Sequence, residues 1–292
     1  MIYSIIEIYI QQVSKMKQPE SLYKPLYFID LDKINWNFLS RNPNAVPLLE
    51  ENSDKINWRY LSENPNAISL LEKNPDKINM DGLSQNPNAL HLLKQNLNKL
   101  DKISVDCISL NKNAIPFLEK YSGLIYWRWL SENPNAIHLL QQNPDKINWQ
   151  HLSINPNAIP LLEKNPDKIN WNFLSGNPNA IHLLEKNQDK IDWDWLSWNP
   201  NAIPLLEKNP DKIDWRSLSL NPNGIHLLQA NQDKINWEWL SENPSIFDLD
   251  YEALKERCLI YKEELIQKTM HPSRIQKLLD MGISIDELDI CI

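Results

Sequence analysis

Residues 165–186 read NPDKINWNFLSGNPNAIHLLEK, and residues 187–193 begin the same phrase again as NQDKIDW. Laid under itself, the chain repeats every 22 residues around I-N-W-x-x-L-S-x-N-P-N-A-I-x-L-L-E-x-N-P-D-K. A Trp column marks the period: Trp36, Trp58, Met80, Val105, Trp127, Trp149, Trp171, Trp193, Trp215 and Trp237. Every step is 22 except Met80 to Val105, where a three-residue insertion within NLNKLDKI stretches it to 25. Ten units result, spanning about 31–246. On top of them the residue after A-I alternates strictly, Pro116, His138, Pro160, His182, Pro204, His226, which implies duplication in 44-residue pairs.

Each unit carries two Asn-Pro marks. N-P-D-K-I-N-W-x-x-L-S offers Asn as N-cap, Pro at the first helical position and Asp in the positive end of the helix dipole. Helical spacing then sets Ile on one side with the residue four later (Phe38, Tyr60, Trp129, Phe173, Trp195, Trp239). Trp and the Leu three later share the other side, so the helix is sandwiched between neighbours with the Trp column as core filling. A strand competes with this reading, because I-N-W-x-W also alternates with period two. At the second mark Pro47, Pro116, Pro160 and Pro204 fall four residues after the Pro column, where a helix begun at N-P would clash with them. N-P-N-A therefore reads as a type I turn. A second helix follows from Pro or His to the next Asn, which closes it in the left-handed conformation and caps its successor.

One such unit buries almost nothing alone, so neighbours must share a continuous core. The predicted fold is all-α, a solenoid of about ten two-short-helix repeats. With neighbouring helices 8 to 10 Å apart it would be a rod or superhelix on the order of 90 Å long. Residues 1–30 read as an N-terminal cap or degenerate repeat and 247–292 as a C-terminal helical cap. That cap would comprise a helix Asp250–Lys268 and another from Pro272 to Gly282.

The tandem NPNAIHLLEKN and NPDKINWxWLS blocks resemble the 22-residue Asn-Pro repeat proteins of giant DNA viruses that infect protists, over about three quarters of the chain. The tail MHPSRIQKLLDMGI is similar to an ending that recurs in such proteins. The resemblance implies a viral origin and brings no activity, cofactor or catalytic residue. A weaker similarity, to leucine-rich repeat variants whose 24-residue units use Asn-Pro turns, supports a helical solenoid and hints that one helix per unit is 3₁₀.

The 292 residues carry a net charge of -8, which disfavours phosphate-backbone binding. Only 5 Gly stand against 20 Pro, 12 Trp and 36 Asn, the skew of a repeat. Cys107, Cys258 and Cys291 are too few and scattered for a disulfide framework and suit a reducing, intracellular setting. MIYSIIEIYI lacks a basic leader and a small-residue cleavage site, and no stretch reaches membrane-span length, so a soluble protein is expected. Catalysis needs unlike groups converging on one point, whereas a solenoid spreads like groups along a line. His138, His182 and His226 would lie roughly 20 Å apart, too far to share a metal ion. Nucleotide-loop, esterase, zincin and C-x-x-C motifs are absent. His271 and Cys258 have no orienting third group. No catalytic residue, metal site or cofactor is expected.

Positions that vary between units are those the fold does not dictate. The residue after Trp is always polar and reads as exposed, with Arg59, Arg128, Asp194 and Arg216 among its members. The residue after Ser varies most, with Ile154, Trp198 and Leu220 where other units carry charge. Because aromatics and Arg dominate binding hot spots, the candidate partner-binding residues are Arg59, Arg128, Trp129, Trp195, Trp198, Arg216 and Trp239. The expected function is a non-enzymatic scaffold for a protein partner, acting in the infected cell. A self-associating virion or assembly component is the alternative. Modular RNA reading comes last, because the charge is wrong for it.

Overall fold

The helix expected to run from N-P-D-K into the Trp column is broken in two. In the computed structural model, which describes residues 23–256 together with Cys258, Leu259, Gln276, Lys277, Asp280 and Met281, P-D-K forms a single 3₁₀ turn, as in Pro166–Lys168, and Ile169 after it is extended. The break falls there because the next residue, Asn170, is a better start. Its side chain accepts the backbone N–H of Phe173 at 3.1 Å, and helix Trp171–Ser175 begins behind it. Asn35, Asn57 and Asn236 cap in the same way, and Asp192 and Asp214 do so in their units.

The second mark forms the expected tight turn, closed by the Ala180 N–H donating to the Asn177 carbonyl at 3.1 Å. Helix Ile181–Lys186 follows, starting one residue before His182. Where Pro replaces His, as Pro160 in helix Ile159–Glu163, it sits in the first turn and removes no intrahelical bond. The Asn that ends this helix is not left-handed: Asn187 has φ -133° and ψ 52°. Its side-chain amide instead donates back to the Leu183 carbonyl at 2.8 Å. That bond satisfies an orphan helix carbonyl and leaves the 3₁₀ turn to make the corner. Each unit is thus two short α-helices and a 3₁₀ turn, and the array is the all-α repeat solenoid predicted. The two strands among the described residues, Tyr23–Pro25 and Phe247–Leu249, pair with each other outside the repeats.

Successive units are joined by buried polar side chains as much as by Leu. In the seventh unit Leu174, Leu184, Ala180, Ser175 and Asn177 all have no exposed surface. The Asn177 amide donates to the Ser153 and Asn155 carbonyls of the preceding unit, at 2.9 and 2.8 Å. Asn179 donates to the Pro156 carbonyl at 2.9 Å, and the Ser153 hydroxyl accepts the Asn170 N–H at 3.0 Å. At about 1 kcal/mol net per bond, such a junction gains on the order of 4 kcal/mol from these bonds alone. The Trp column is half-buried rather than core, because its outer ring faces are covered by Lys from the next unit. Lys190 lies 4.5 Å from the Trp171 ring and Lys212 4.5 Å from Trp193.

The expected open rod does not form, because the first unit packs on the tenth through the bonds that join every other pair. Asn42 donates to the Ser241 and Asn243 carbonyls at 3.1 and 2.8 Å, and Asn44 donates to the Pro244 carbonyl at 2.9 Å. Ser241 accepts the Asn35 N–H at 2.9 Å, and Lys33 stands over Trp237 at 5.2 Å. Leu26 donates to the Ile246 carbonyl at 2.8 Å beside this seam. The repeat unit, Pro25–Phe247, is therefore a closed ring of ten. Its Trp-bearing helices approach one another around the inside, as helix Trp193–Trp198 does helix Trp215–Leu220 and helix Trp36–Leu39 does helix Trp237–Glu242.

A second unit combines 1–24 and 248–292. Within it Lys24 reaches Asp250 at 3.5 Å, and Asp250 caps a helix that starts at Tyr251, as expected. The far end of that helix, the helix from Pro272 and the segment 1–22 lie outside the described residues, as does His271. With the first and tenth units packed together, no open repeat end is left for a cap to close. Among the described residues no helix is long and apolar enough to cross a membrane.

Candidate functional site

Closure turns columns of residues into a wall. Helix geometry places Leu and Ser of W-x-x-L-S between units, so the residues two and five places after Trp point to the middle of the ring. There the chain encloses a cavity of about 490 Å³ that includes Ile154, Phe173, Trp195, Trp198, Leu220 and Trp239 in its wall. Glu132 and Trp239, which both line it, belong to units five steps apart in a ring of ten and so stand on opposite sides. The volume is that of a small-ligand or side-chain site.

The residues around the middle of the ring change in chemistry from unit to unit. In the aromatic stretch Phe173 stacks on Trp195 with centroids 4.9 Å apart, and Trp198 meets Trp195 at 6.2 Å and 84°, forming a right-angled corner of two indoles. Gly176 makes this corner fit: a Cβ there would lie 3.0 Å from Trp195 and 3.3 Å from Trp198. Asp194 and Ser217 add polar groups to the lining. The stretch next to the aromatic one, across the seam, is charged. Arg41 pairs with both Glu242 oxygens at 3.1 Å, lies 2.7 Å from Glu63 through Nε, and covers the Tyr60 ring at 4.6 Å. Burial pushes the Glu63 carboxyl above its ordinary value, although Arg41 opposes the shift.

At the other edge of the aromatic stretch runs a relay of three groups. Arg128 Nε can only donate, so its 2.6 Å contact makes His151 Nε2 the acceptor. The proton then sits on Nδ1, which donates to Glu132. His151 is 6% exposed and packs edge-on against Phe173. The relay therefore fixes the edge of the aromatic stretch and leaves neither His151 nitrogen free. Cys107, also on the inner wall, has its thiol pushed up to about 11, chiefly by burial and then by Asp81 and Asp106. Among the described residues no three His, Cys, Asp or Glu are grouped to hold a metal ion.

Of the candidate residues, Trp195, Trp198 and Trp239 line the cavity together. Arg216 lays its guanidinium over Trp239 at 4.7 Å, and Arg128 belongs to the relay. Trp129 packs edge-on against Tyr126, and exposed Arg59 stands in the second unit, away from the cavity lining. The variable residues after Ser, expected to face bulk solvent, are half-buried: Ile154, Trp198 and Leu220 face the cavity instead. Arg41, Glu63, Glu242, His151 and Glu132 were not singled out as site residues. Variation after Ser was the signal for four of them, but only closure gives those changes one destination. The His column is on the outside, where His91, His138, His182 and His226 each pair with a Glu of the preceding unit at 2.8 to 3.3 Å. No family model, curated protein or solved structure matches the chain.

Proposed function

We propose that the protein is a non-enzymatic interaction module that receives a segment of a protein partner in the aromatic stretch of its ring. The observation that carries this reading is the clustering of Phe173, Trp195, Trp198 and Trp239 around one cavity, with Trp198 at a position where other units place Arg, Glu, Gln or Gly. Large, partly exposed aromatics gathered at one recess are the usual anchors of recognition. The imidazole nearest to it is occupied, His151 by Arg128 and Glu132. With the resemblance to viral repeat proteins, the module reads as a viral product acting on a partner in the infected cell. Closure speaks against an assembly component that grows end to end, since both faces of every unit are already used. The carboxylates of Glu132 and Asp194 at the cavity speak against RNA.

Affinity capture from host lysate with the tagged protein tests the reading. A protein retained after nuclease treatment, lost with Trp198→Ala or Leu220→Asp and kept with the outer-face change His182→Ala, is the expected result. Capture that disappears with nuclease, or that ignores both cavity changes, would overturn it.

A further inference from the structure

Eight of the twelve indoles in this protein lie under one of the chain's own cations. Seven Trp of the marker column take a Lys of the next unit at 4.2 to 5.2 Å, the last of them, Trp237, across the seam from Lys33. Trp239 takes Arg216 at 4.7 Å. Among the described residues four indoles take none, Trp127 and Trp129 away from the cavity lining and Trp195 and Trp198 set at 84° within it. A carboxylate without a counter-ion stands at the same cavity. Asp194 lines it, and among the described residues its side chain makes neither an ion pair nor a hydrogen bond. Arg216, the next member of its column, turns away to Trp239 instead. Partial burial, then Asp214 and Asp192 nearby, raise the Asp194 pKa, so this edge is negative and lacks a cation.

Two indole faces at a right angle and a free carboxylate select one kind of guest, a positive charge carried on apolar groups. Such a cation is weakly hydrated and gains from the ring quadrupoles. The cavity, about 490 Å³, exceeds what a bare ammonium fills, and Ile154 and Leu220 offer an apolar wall for a stem. We infer that the aromatic stretch of the ring binds an alkylated ammonium group on a side chain of the partner, in the manner of a methylated lysine. Trp195 and Trp198 receive the head group, Asp194 balances its charge, and Ile154 and Leu220 contact the stem. The inference rests on the reading of the ring as an interaction module and names the chemistry of what enters it.

The test uses the full chain, with N-acetyl-trimethyllysine amide as the probe, read by Trp fluorescence and calorimetry. Two comparison ligands accompany it: the neutral analogue with a tert-butyl head, and choline. The charged probe should bind at least about tenfold more tightly than its neutral analogue. Asp194→Asn, an exposed change that leaves the fold alone, should remove most of that difference, and Trp198→Ala should weaken the charged probe about tenfold. Equal binding of the charged and neutral probes, or indifference to Asp194→Asn, overturns the cation assignment. Choline binding more tightly than the lysine derivative overturns the assignment to a partner's side chain. Either failure, with protein capture still lost in Trp198→Ala, leaves the interaction module standing and removes only its cation.

Discussion

An Asn that reads in the sequence as a turn residue is the fastener between units. Asn155 has no exposed surface, its amide reaches the Ser131 and Asn133 carbonyls at 2.9 Å each, and its oxygen accepts the Asn157 N–H at 2.9 Å. Asn155→Ala strands two buried carbonyls and an N–H, and should destabilise the protein by about 3 kcal/mol in denaturant unfolding. A change below about 0.5 kcal/mol would show that relaxation or water restores those bonds. The turn role was legible because Asn-Pro is a local signal. The fastening role was not, since its acceptors lie 22 and 24 residues back. Cys107 gives a second residue-level expectation. With its pKa near 11, only on the order of one thiol in a thousand is ionised at pH 8, whereas Cys258 is exposed. Iodoacetamide on the native protein should label Cys258 and spare Cys107, read by peptide mass spectrometry. Equal labelling would mean that the inner wall opens to reagent.

At the level of elements, the three-residue insertion is one added helical turn. In the fourth unit Asp101 caps at 2.8 Å and helix Lys102–Cys107 starts three residues early, yet Ser109 still accepts the Tyr126 N–H at 2.9 Å. Three residues nearly complete a turn, so the faces downstream keep their places. Deleting residues 101–103 leaves K-L-S-V-D-C-I-S, with Ser104 where other units carry their Asn cap. Ser caps about as well as Asn, so the deletion should change stability by less than about 2 kcal/mol and leave the ring intact. Loss of cooperative melting would show that Ser104 is held by its 2.7 Å bond to Asp81 and cannot serve as a cap. The helix expected from N-P-D-K failed at this same scale. Two Asn five residues apart compete to start it, and composition alone ranks neither. The second wins because the Ser hydroxyl of the preceding unit holds its backbone N–H, as Ser153 holds Asn170.

For the whole repeat unit, the seam between the first and tenth repeats should behave like any other. Asn42→Ala should cost the same as Asn155→Ala to within about 1 kcal/mol, since each amide spans two carbonyls of a neighbouring unit. In an open stack the first unit would have nothing to grip, and Asn42→Ala would be nearly silent. Unfolding by denaturant distinguishes the two. Nothing local in the sequence announces closure. The same residue types make every junction, and curvature accumulates from small rotations that composition does not encode. The variable column after Ser pointed to Trp198, and the weight of aromatics in binding hot spots to Trp195 and Trp239, while the cavity they share depends on that curvature.

A closed circle also imposes whole-number inheritance. A stack with free ends can lengthen by one copy and change only its length. Ten units that complete a turn each contribute about 36°, and an eleventh would ask every junction to open its angle at once. A gene that duplicates in 44-residue pairs therefore cannot widen its central chamber by degrees. It must pass from one complete ring to another, and until the new circle shuts, the Asn and Ser at the break would face water with half their bonds unmade.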